Sequence, residues 1–185
     1  MQRIQAMRHT SFYRNSLLFA AFFAALMCAS FKLDDNQDEQ TIKALFIYNF
    51  TKHIEWPKDK SVDHFVIGVI GNTPVYDKLS EIVKDRKIKN RTAEIRRYNK
   101  TDKIESCNLL FIAKNENINL TSILESNNTY GVLIVTEDRS LINKGYSINI
   151  LERNDRMQFE LNEPVLKKAG FKVSNQLYEL AASIH

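Results

Sequence analysis

The hydrophobic pattern is densest between Thr41 and Pro57, where it predicts a buried helix. Apolar residues recur there at spacings of three and four, which is the pattern of one face of an α-helix. Further apolar residues widen that face, so the helix is expected to pack into the core. It should stop around Trp56, because the residue before a proline is pushed away from helical geometry. The predicted face comprises Ile42, Leu45, Phe46, Asn49, Phe50 and His53, widened by Ala44, Ile47 and Ile54.

Short apolar runs then alternate with stretches of helical spacing as far as Thr136. Most of these runs are continuous, which is typical of strands buried on both faces. Pro74 suits the first turn of a helix that continues to about Asp85. The order of strands and helices indicates a mainly parallel sheet flanked by helices on both faces. The predicted strands are Phe65–Ile70, Thr92–Tyr98, Asn108–Ala113 and Gly131–Thr136, and a further helix is expected at Ile118–Leu124.

The pattern changes to alternation at Tyr146–Leu151 and Met157–Leu161, with the turn residues Asn154 and Asp155 between them. This combination predicts an antiparallel hairpin with one apolar face. The expected fold class is therefore α/β, with a mainly parallel sheet flanked by helices on both faces and a C-terminal antiparallel hairpin. Two helical pieces should finish the chain, around Val165–Ala169 and Asn175–Ile184, with Ser174 as the N-cap of the last.

Residues 1–30 form a separate segment with the features of a secretory signal peptide. They contain three arginines and no acidic residue, and the unbroken apolar run Leu17–Ala29 precedes Ser30. The run has 13 residues, fewer than the roughly 20 that a membrane-spanning helix needs. We expect cleavage near Ser30 and export to the periplasm. An uncleaved anchor and lipidation of Cys28 are the alternatives.

Removal of the leader changes the charge of the chain. Three of its 26 basic residues lie in residues 1–30, so 23 basic residues remain against 22 acidic ones. A nearly neutral chain has no electrostatic reason to bind nucleic acid. One basic cluster stands out at a helix exit, where it is expected to be a solvated loop. This cluster is Lys84, Arg86, Lys87, Lys89 and Arg91.

The rest of the chain is the length of one ordinary domain. Phe31–Gln40 is polar and acidic and is expected to be a short lead-in, so one domain should span residues 41–185. Without the leader, Cys107 is the only cysteine, which excludes an internal disulfide. It adjoins an apolar run and should be buried rather than reactive.

Motifs for catalysis and metal binding are missing from the sequence. It contains no glycine-rich dinucleotide or phosphate loop, no G-x-S-x-G and no H-E-x-x-H. We therefore expect no catalytic residue, no metal and no cofactor. His53 has no second ligand at a metal-site spacing and should be a core or boundary histidine. Asp138 follows a predicted strand, where a turn role is favoured over catalysis.

Several segments from Lys43 to the end of the chain resemble, in order, the motifs of one family. They are Lys43–Lys52 followed by Ile54–Pro57, Ile67–Gly71, Cys107–Ile112, Leu133–Asp138, Arg156–Asn162 and Ala169–Ser174, with Leu177, Leu180 and Ala181. The chain is identified on these segments as resembling the YfiR-like periplasmic proteins (the DUF4154 family). Some members carry cysteine pairs, whereas this chain keeps only Cys107 after the leader.

The resemblance implies an α/β fold and a periplasmic regulatory role. The best-understood branch of the family restrains a membrane-bound diguanylate cyclase by binding its periplasmic sensor part. Release of that enzyme raises cyclic-di-GMP and favours biofilm. The implied partner here is the periplasmic part of an inner-membrane sensor. No nucleic-acid partner is expected, and a homodimer is an option. The alternative is a small-molecule-binding protein or enzyme of the envelope that uses the crevice at the strand ends.

The hairpin supplies a candidate partner surface. Phe159 and its apolar neighbours should take the inner face, leaving polar residues on the outer one. The candidate partner-binding residues are Arg156, Gln158, Glu160 and Asn162. Under this hypothesis, reversing the charge of Glu160 leaves folding intact and weakens partner capture, whereas the alternative is that Glu160 pairs with neighbours. Other residues of the family motifs should be structural, namely Asn49, Phe50, Trp56, Pro57, Asp138 and Phe159.

Overall fold

The computed structural model is mixed α/β, built on one large sheet. It describes residues 35–57, 63–99, 102, 104, 107–114, 116, 131–140 and 145–185, with side chains from Glu39 onward in the first helix. The predicted leader and the helix predicted at 118–124 lie outside these residues. Asn36–His185 form one compact unit.

The helices and strands are numbered here in chain order. The helices are α1 (Asp35–His53), α2 (Val75–Val83), α3 (Glu163–Lys168) and α4 (Asn175–Leu180). The strands are β1 (Ile54–Glu55), β2 (His64–Ile70), β3 (Lys87–Ile88), β4 (Arg91–Tyr98), β5 (Leu109–Ile112), β6 (Leu133–Thr136), β7 (Ile148–Arg153), β8 (Arg156–Leu161), β9 (Lys172–Val173) and β10 (Ser183–Ile184).

The large sheet has eight strands in the order β10-β8-β7-β6-β5-β2-β4-β3. Its centre, from β4 through β2, β5 and β6 to β7, is parallel throughout. Antiparallel pairs occur near the two ends, between β3 and β4 and between β7 and β8. The predicted class, a mainly parallel α/β sheet with a C-terminal antiparallel hairpin, is confirmed.

The first helix departs from its prediction in extent and in orientation. It begins at Asp35, so the second half of the predicted lead-in is helical, and it ends at His53. Ile54 and Glu55 leave the helix because they pair with Val173 and Lys172 of β9. The buried stripe is Lys43, Ala44, Ile47, Phe50 and Thr51, which is rotated from the predicted face.

Ile42 and Leu45 were expected on the buried face of α1, and this expectation is wrong. They are 41% and 43% exposed. Lys43 occupies the buried stripe instead, since ion pairs with Glu39 and Glu137 satisfy its ammonium group at 2.6 and 3.2 Å. The carboxylate of Glu137, just after β6, thus lets a lysine take a place in the buried stripe of α1.

The end of the chain also differs from its prediction. The last helix was expected to reach Ile184, but α4 stops at Leu180 and Ser183–Ile184 pairs in parallel with β8. The backbone N–H of His185 donates to the carbonyl of Leu161, which fixes this strand at the sheet edge. Ser174 caps α4 as predicted, because its hydroxyl accepts a hydrogen bond from the Leu177 N–H.

The two faces of the sheet carry separate apolar clusters. All four described helices pack on one face, through residues such as Phe50, Leu79, Leu166 and Leu177, so the helices predicted on the other face are not among the described residues. The other face carries a smaller cluster that includes Leu110, Ile112, Ile134 and Tyr146. Toward β7 and β8, this second face becomes polar, and the candidate site lies there.

Candidate partner-binding site

The β7–β8 hairpin sets the register of the candidate residues. Its turn residues Asn154 and Asp155 have φ values of 53° and 55°, as a two-residue hairpin turn of type I′ requires. The register then places three cross-strand pairs on the face opposite Phe159. These pairs are Arg153 with Arg156, Leu151 with Gln158, and Asn149 with Glu160.

The four predicted residues do not form one exposed surface. Arg156 is exposed and Gln158 is partly buried. Asn162 caps α3, because its side-chain oxygen accepts a hydrogen bond from the Val165 N–H at 3.3 Å. Glu160 is fully buried, so the expectation that it lies on the outer surface is wrong.

Glu160 is buried because four polar side chains surround its carboxylate. Arg139 Nη2 donates to Oε1 at 3.3 Å, and Arg153 Nη2 lies 3.7 Å from the same oxygen. Asn149 Nδ2 donates to Oε2 at 3.4 Å, and His185 Nε2 lies 3.7 Å from it. These contacts supply the pairing that a buried carboxylate needs.

The negative charge of Glu160 also affects the pKa of the neighbouring residue Tyr146. Burial, and then the negative charge of Glu160, raise the pKa of Tyr146 to about 12. Tyr146 therefore stays protonated at neutral pH. Among the described residues, its hydroxyl, Asn149 Oδ1 and Gln158 Oε1 are buried without a hydrogen-bond partner. The buried part of the site is thus rich in polar atoms, with Glu160 as the anion.

The exposed part of the site is cationic. The side chains of Arg139 and Arg153 are 61% and 44% exposed, although both reach Glu160. Arg156 is also exposed and stands opposite Arg153 on the same face of the hairpin. We call Arg139, Arg153 and Arg156 the arginine surface. Such a surface can bind carboxylates or other anions.

The contacts of several residues that were expected to be structural can be described. Phe50 and Phe159 are buried, with ring centroids 5.2 Å apart in an edge arrangement, so α1 packs directly on the hairpin. Asp138 Oδ1 accepts from the Ser140 N–H at 2.9 Å, which confirms its predicted turn role. Asn49 is half-buried, and its Oδ1 accepts a hydrogen bond from the ammonium group of Lys52 at 3.2 Å.

Trp56 joins three parts of the fold. Its Nε1 donates to the Asn108 carbonyl at 2.9 Å, and its ring meets the edges of Phe65 and Phe171 at centroid distances of 5.0 and 5.7 Å. Trp56 is partly buried and packs against the core, and Pro57 is also partly buried. The aromatic ring therefore links the exit of α1 to β2 and to the α3–β9 connection.

Cys107 and His53, whose side chain types often take part in catalysis, lie in the core and at its boundary. Cys107 is buried, which confirms its predicted burial, and burial raises the pKa of its thiol to about 12. His53 is half-buried and its Nδ1 lies 3.3 Å from Ser174 Oγ, as expected of a boundary histidine. Within the described part of the chain, no three potential ligands are grouped to hold a metal ion.

A crevice is present at the C-terminal ends of β2 and β4. Its volume is about 370 Å³, and Gly71, Arg97, Tyr98 and Glu116 are among its lining residues. Gly71 has φ of 112°, and a Cβ there would lie 2.8 Å from that of Ala113, so only glycine fits this close turn. The crevice lies beside the point where strand order reverses, a common place for ligands in α/β sheets.

Sequence reasoning missed most of the partners of Glu160. Asn149 could have been found, because the hairpin turn fixes it opposite Glu160. Arg139 and His185 come from separate segments, and no sequence spacing relates them to the hairpin. Their roles depend on the parallel pairings of β6 with β7 and of β10 with β8.

Comparison with known proteins supports the resemblance seen in the sequence. Among the described residues, no helix is both long and apolar enough to cross a membrane. No curated protein matches the chain. A family model described as YfiR/HmsC-like (DUF4154) matches residues 40–182, which includes most of α1, the parallel centre of the sheet and the hairpin. The chain therefore belongs to the YfiR/HmsC-like family.

Proposed function

We propose that the protein is a non-catalytic periplasmic regulator that binds and restrains a membrane-bound sensor with diguanylate cyclase activity. The family match over residues 40–182 carries this proposal, because members of the family are periplasmic regulators. The chain would be exported with its leader removed, leaving a mature protein that begins near Phe31. N-terminal sequencing of the chain from the periplasmic fraction tests this step, and a full-length chain in the cytosol would contradict it.

The arginine surface supports a protein partner with an acidic face. Arg139, Arg153 and Arg156 are exposed, while Glu160, the carboxylate that Arg139 and Arg153 share, is buried. Complementary charge steers association and sets partner choice more than it sets affinity. The sensor should therefore present carboxylates to the hairpin.

The direct experiment is capture of the sensor by the mature chain from detergent-solubilised membranes. The informative variant is Arg156→Glu, since Arg156 is exposed and faces Arg153 across the hairpin. Reversal replaces two like charges by an opposite pair, so the melting temperature should be unchanged or slightly higher. Capture of the sensor should fall several-fold at low salt.

A charge-matched control is Lys168→Glu, because Lys168 is an exposed residue of α3. This variant should capture the sensor like the original chain. If Arg156→Glu also captures normally, the arginine surface is not the partner face. If the original chain captures no membrane sensor, the proposed function itself is wrong.

A cellular measurement tests restraint rather than binding. Cells that lack the protein should contain more cyclic-di-GMP than cells in which it is restored, because the sensor is then released. Restoration with Arg156→Glu should lower cyclic-di-GMP less than restoration with Lys168→Glu. Equal cyclic-di-GMP in all four strains would exclude a diguanylate cyclase as the regulated enzyme.

The crevice at the strand ends supports the second candidate, a small-molecule-binding protein. It holds a cationic side chain, Arg97, and an anionic one, Glu116, in about 370 Å³. Mass spectrometry of the purified mature chain under native conditions would reveal a retained ligand. Loss of that ligand in Arg97→Ala, with folding preserved, would favour this candidate over the regulator.

A further inference from the structure

The basic cluster between Lys84 and Arg91 is a structured hairpin, contrary to the expected loop. Lys87 and Ile88 form β3 and pair with Thr92 and Arg91 of β4 at one edge of the large sheet. The turn residues Lys89 and Asn90 have φ values of 51° and 65°, which suit a tight hairpin turn. We call Lys84, Arg86, Lys87, Lys89 and Arg91 the basic hairpin.

The side chains of this hairpin divide into an anchor and an exposed charged group. Ile88 is buried in the main apolar cluster and fixes the hairpin to the domain. Lys84, Arg86, Lys87 and Lys89 are exposed. Ordered charges lose less conformational entropy on binding than the same charges on a flexible loop.

The tertiary structure adds a sixth cation from a distant segment. Arg86 Cζ lies 5.5 Å from the centre of the Tyr48 ring, and Lys52 Nζ lies 4.4 Å from the same centre. Lys52 is thus brought beside the basic hairpin from the last turn of α1. Sequence alone does not indicate this neighbourhood.

The positive charge of this surface is largely uncompensated. Asp85 is the one acidic residue within the hairpin segment. Among the residues that the structure describes, Lys84, Arg86, Lys87 and Lys89 form no ion pair. Because the chain after the leader is almost neutral, this concentration of cations is a local excess of positive charge at the β3 edge of the sheet.

A cavity of about 490 Å³ lies beside the hairpin. Its polar lining comprises three cations, two hydroxyl-bearing residues and two carboxylates, namely Lys84, Arg86, Lys87, Ser80, Thr92, Asp85 and Glu94. Ammonium, guanidinium and hydroxyl groups are the groups that hold phosphate oxygens in proteins. The basic and hydroxyl groups of this cavity, which outnumber its carboxylates, therefore offer contacts for a phosphate-bearing head group.

We propose that the basic hairpin, with Lys52, docks the protein on an anionic phospholipid surface. Clusters of four or more lysines and arginines bind anionic membranes, and each cation contributes about fivefold to the partition constant. A nucleic acid is a poorer occupant, since the rest of the chain carries no net positive excess to follow a long polyanion. Docking would hold the regulator on the membrane that contains its sensor.

Vesicle sedimentation tests the proposal without any protein partner. The mature chain should sediment with vesicles of phosphatidylcholine and phosphatidylglycerol, and should stay in solution with phosphatidylcholine alone. Binding should weaken steeply with added salt, because exposed charges are screened over a Debye length of about 10 Å at 0.1 M ionic strength. The double variant Lys84→Glu/Lys87→Glu should bind roughly 25-fold more weakly or worse, because it removes two cations.

Two further variants make the result specific. Lys114→Glu/Lys168→Glu changes the net charge equally, and both of its lysines are exposed outside the hairpin. It should bind within about twofold of the original chain, since membrane attraction falls off within a Debye length of the surface. Lys84→Gln/Lys87→Gln removes the two cations without adding anions, and should lose binding even if the reversed variant folds poorly.

The outcomes separate lipid docking from binding of the sensor. Equal loss of vesicle binding in the hairpin variants and in Lys114→Glu/Lys168→Glu would overturn a specific lipid-docking surface. Normal vesicle binding by Lys84→Gln/Lys87→Gln, with loss of sensor capture in detergent, would assign the basic hairpin to the protein partner instead. Because vesicles contain no sensor, failure of the proposed function leaves this test intact.

Discussion

Reversal of the buried charge at Glu160 gives the sharpest test of the candidate site. Glu160 is 0% exposed, so a lysine at this position must leave water almost completely. It would also face Arg139 and Arg153, whose guanidinium groups lie 3.3 and 3.7 Å from the present carboxylate. Leaving a buried charge without its partner costs about 3–5 kcal/mol. We therefore expect Glu160→Lys to destabilise the fold, not only the partner contact.

A milder substitution at Glu160 should give a smaller loss in the free energy of unfolding. Glu160→Gln keeps the shape of the side chain and removes its charge, and Arg139 and Arg153 can then turn toward solvent because they are already partly exposed. The loss should be about 1.5–3 kcal/mol, the usual range for hydrogen bonds to charged groups. Glu152→Lys is the control, since Glu152 is exposed on the same hairpin and should change stability by less than about 0.5 kcal/mol.

Thermal and denaturant unfolding of the mature chain measure these differences. A loss of about 3–5 kcal/mol corresponds to a fall in melting temperature of roughly 6–20 °C in a domain of this size. The urea midpoint should fall with an unchanged m-value, since the surface exposed on unfolding is the same. A melting temperature for Glu160→Lys equal to that of Glu152→Lys would refute the buried-carboxylate geometry and return Glu160 to the candidate partner surface.

Two further predictions concern the core. Trp56→Ala should lower the free energy of unfolding by about 3–5 kcal/mol, because it removes the ring between Phe65 and Phe171 and the hydrogen bond to the Asn108 carbonyl. Chemical denaturation measures this loss. A loss below about 1 kcal/mol would mean that the ring is not part of the core. Burial raises the pKa of Cys107 from 9.0 to about 12, so the folded chain holds the thiol proton more tightly than the unfolded chain. The free energy of unfolding should therefore not depend on this thiol below about pH 9, and should fall as the pH rises from about 9 to about 12. A thiol reagent at mildly alkaline pH should leave Cys107 unlabelled until denaturant is added, and rapid labelling of the folded chain would contradict its burial.

The sequence determined the elements whose signals are local. The strands β2, β5 and β6 were predicted within two residues at each end, because their apolar runs are continuous and turn residues close them. The β7–β8 hairpin was predicted for a similar reason, since alternation and the Asn154-Asp155 turn specify each other. The N-cap role of Ser174 and the turn role of Asp138 also follow from short-range hydrogen bonding.

Other features depended on pairing between distant segments. Helical periodicity could not orient α1, because its apolar residues are spread around the helix axis and the ion pair of Lys43 with Glu137 favours the observed buried stripe. The chain around Ile54 and Ile184 has apolar residues that suit a helix, but β9 and β8 offer backbone partners that convert both segments to strands. Tertiary hydrogen bonds thus overrode local preference.

The candidate site shows the same division in its chemistry. The alternation of the hairpin determined which residues share a face with Glu160, and this much could be derived from the sequence. Whether that face meets solvent depends also on Arg139 and His185, which come from two distant segments of the chain and reach the carboxylate only in the folded sheet. A carboxylate is stable inside a protein only when such partners surround it, so its burial is decided by the tertiary structure.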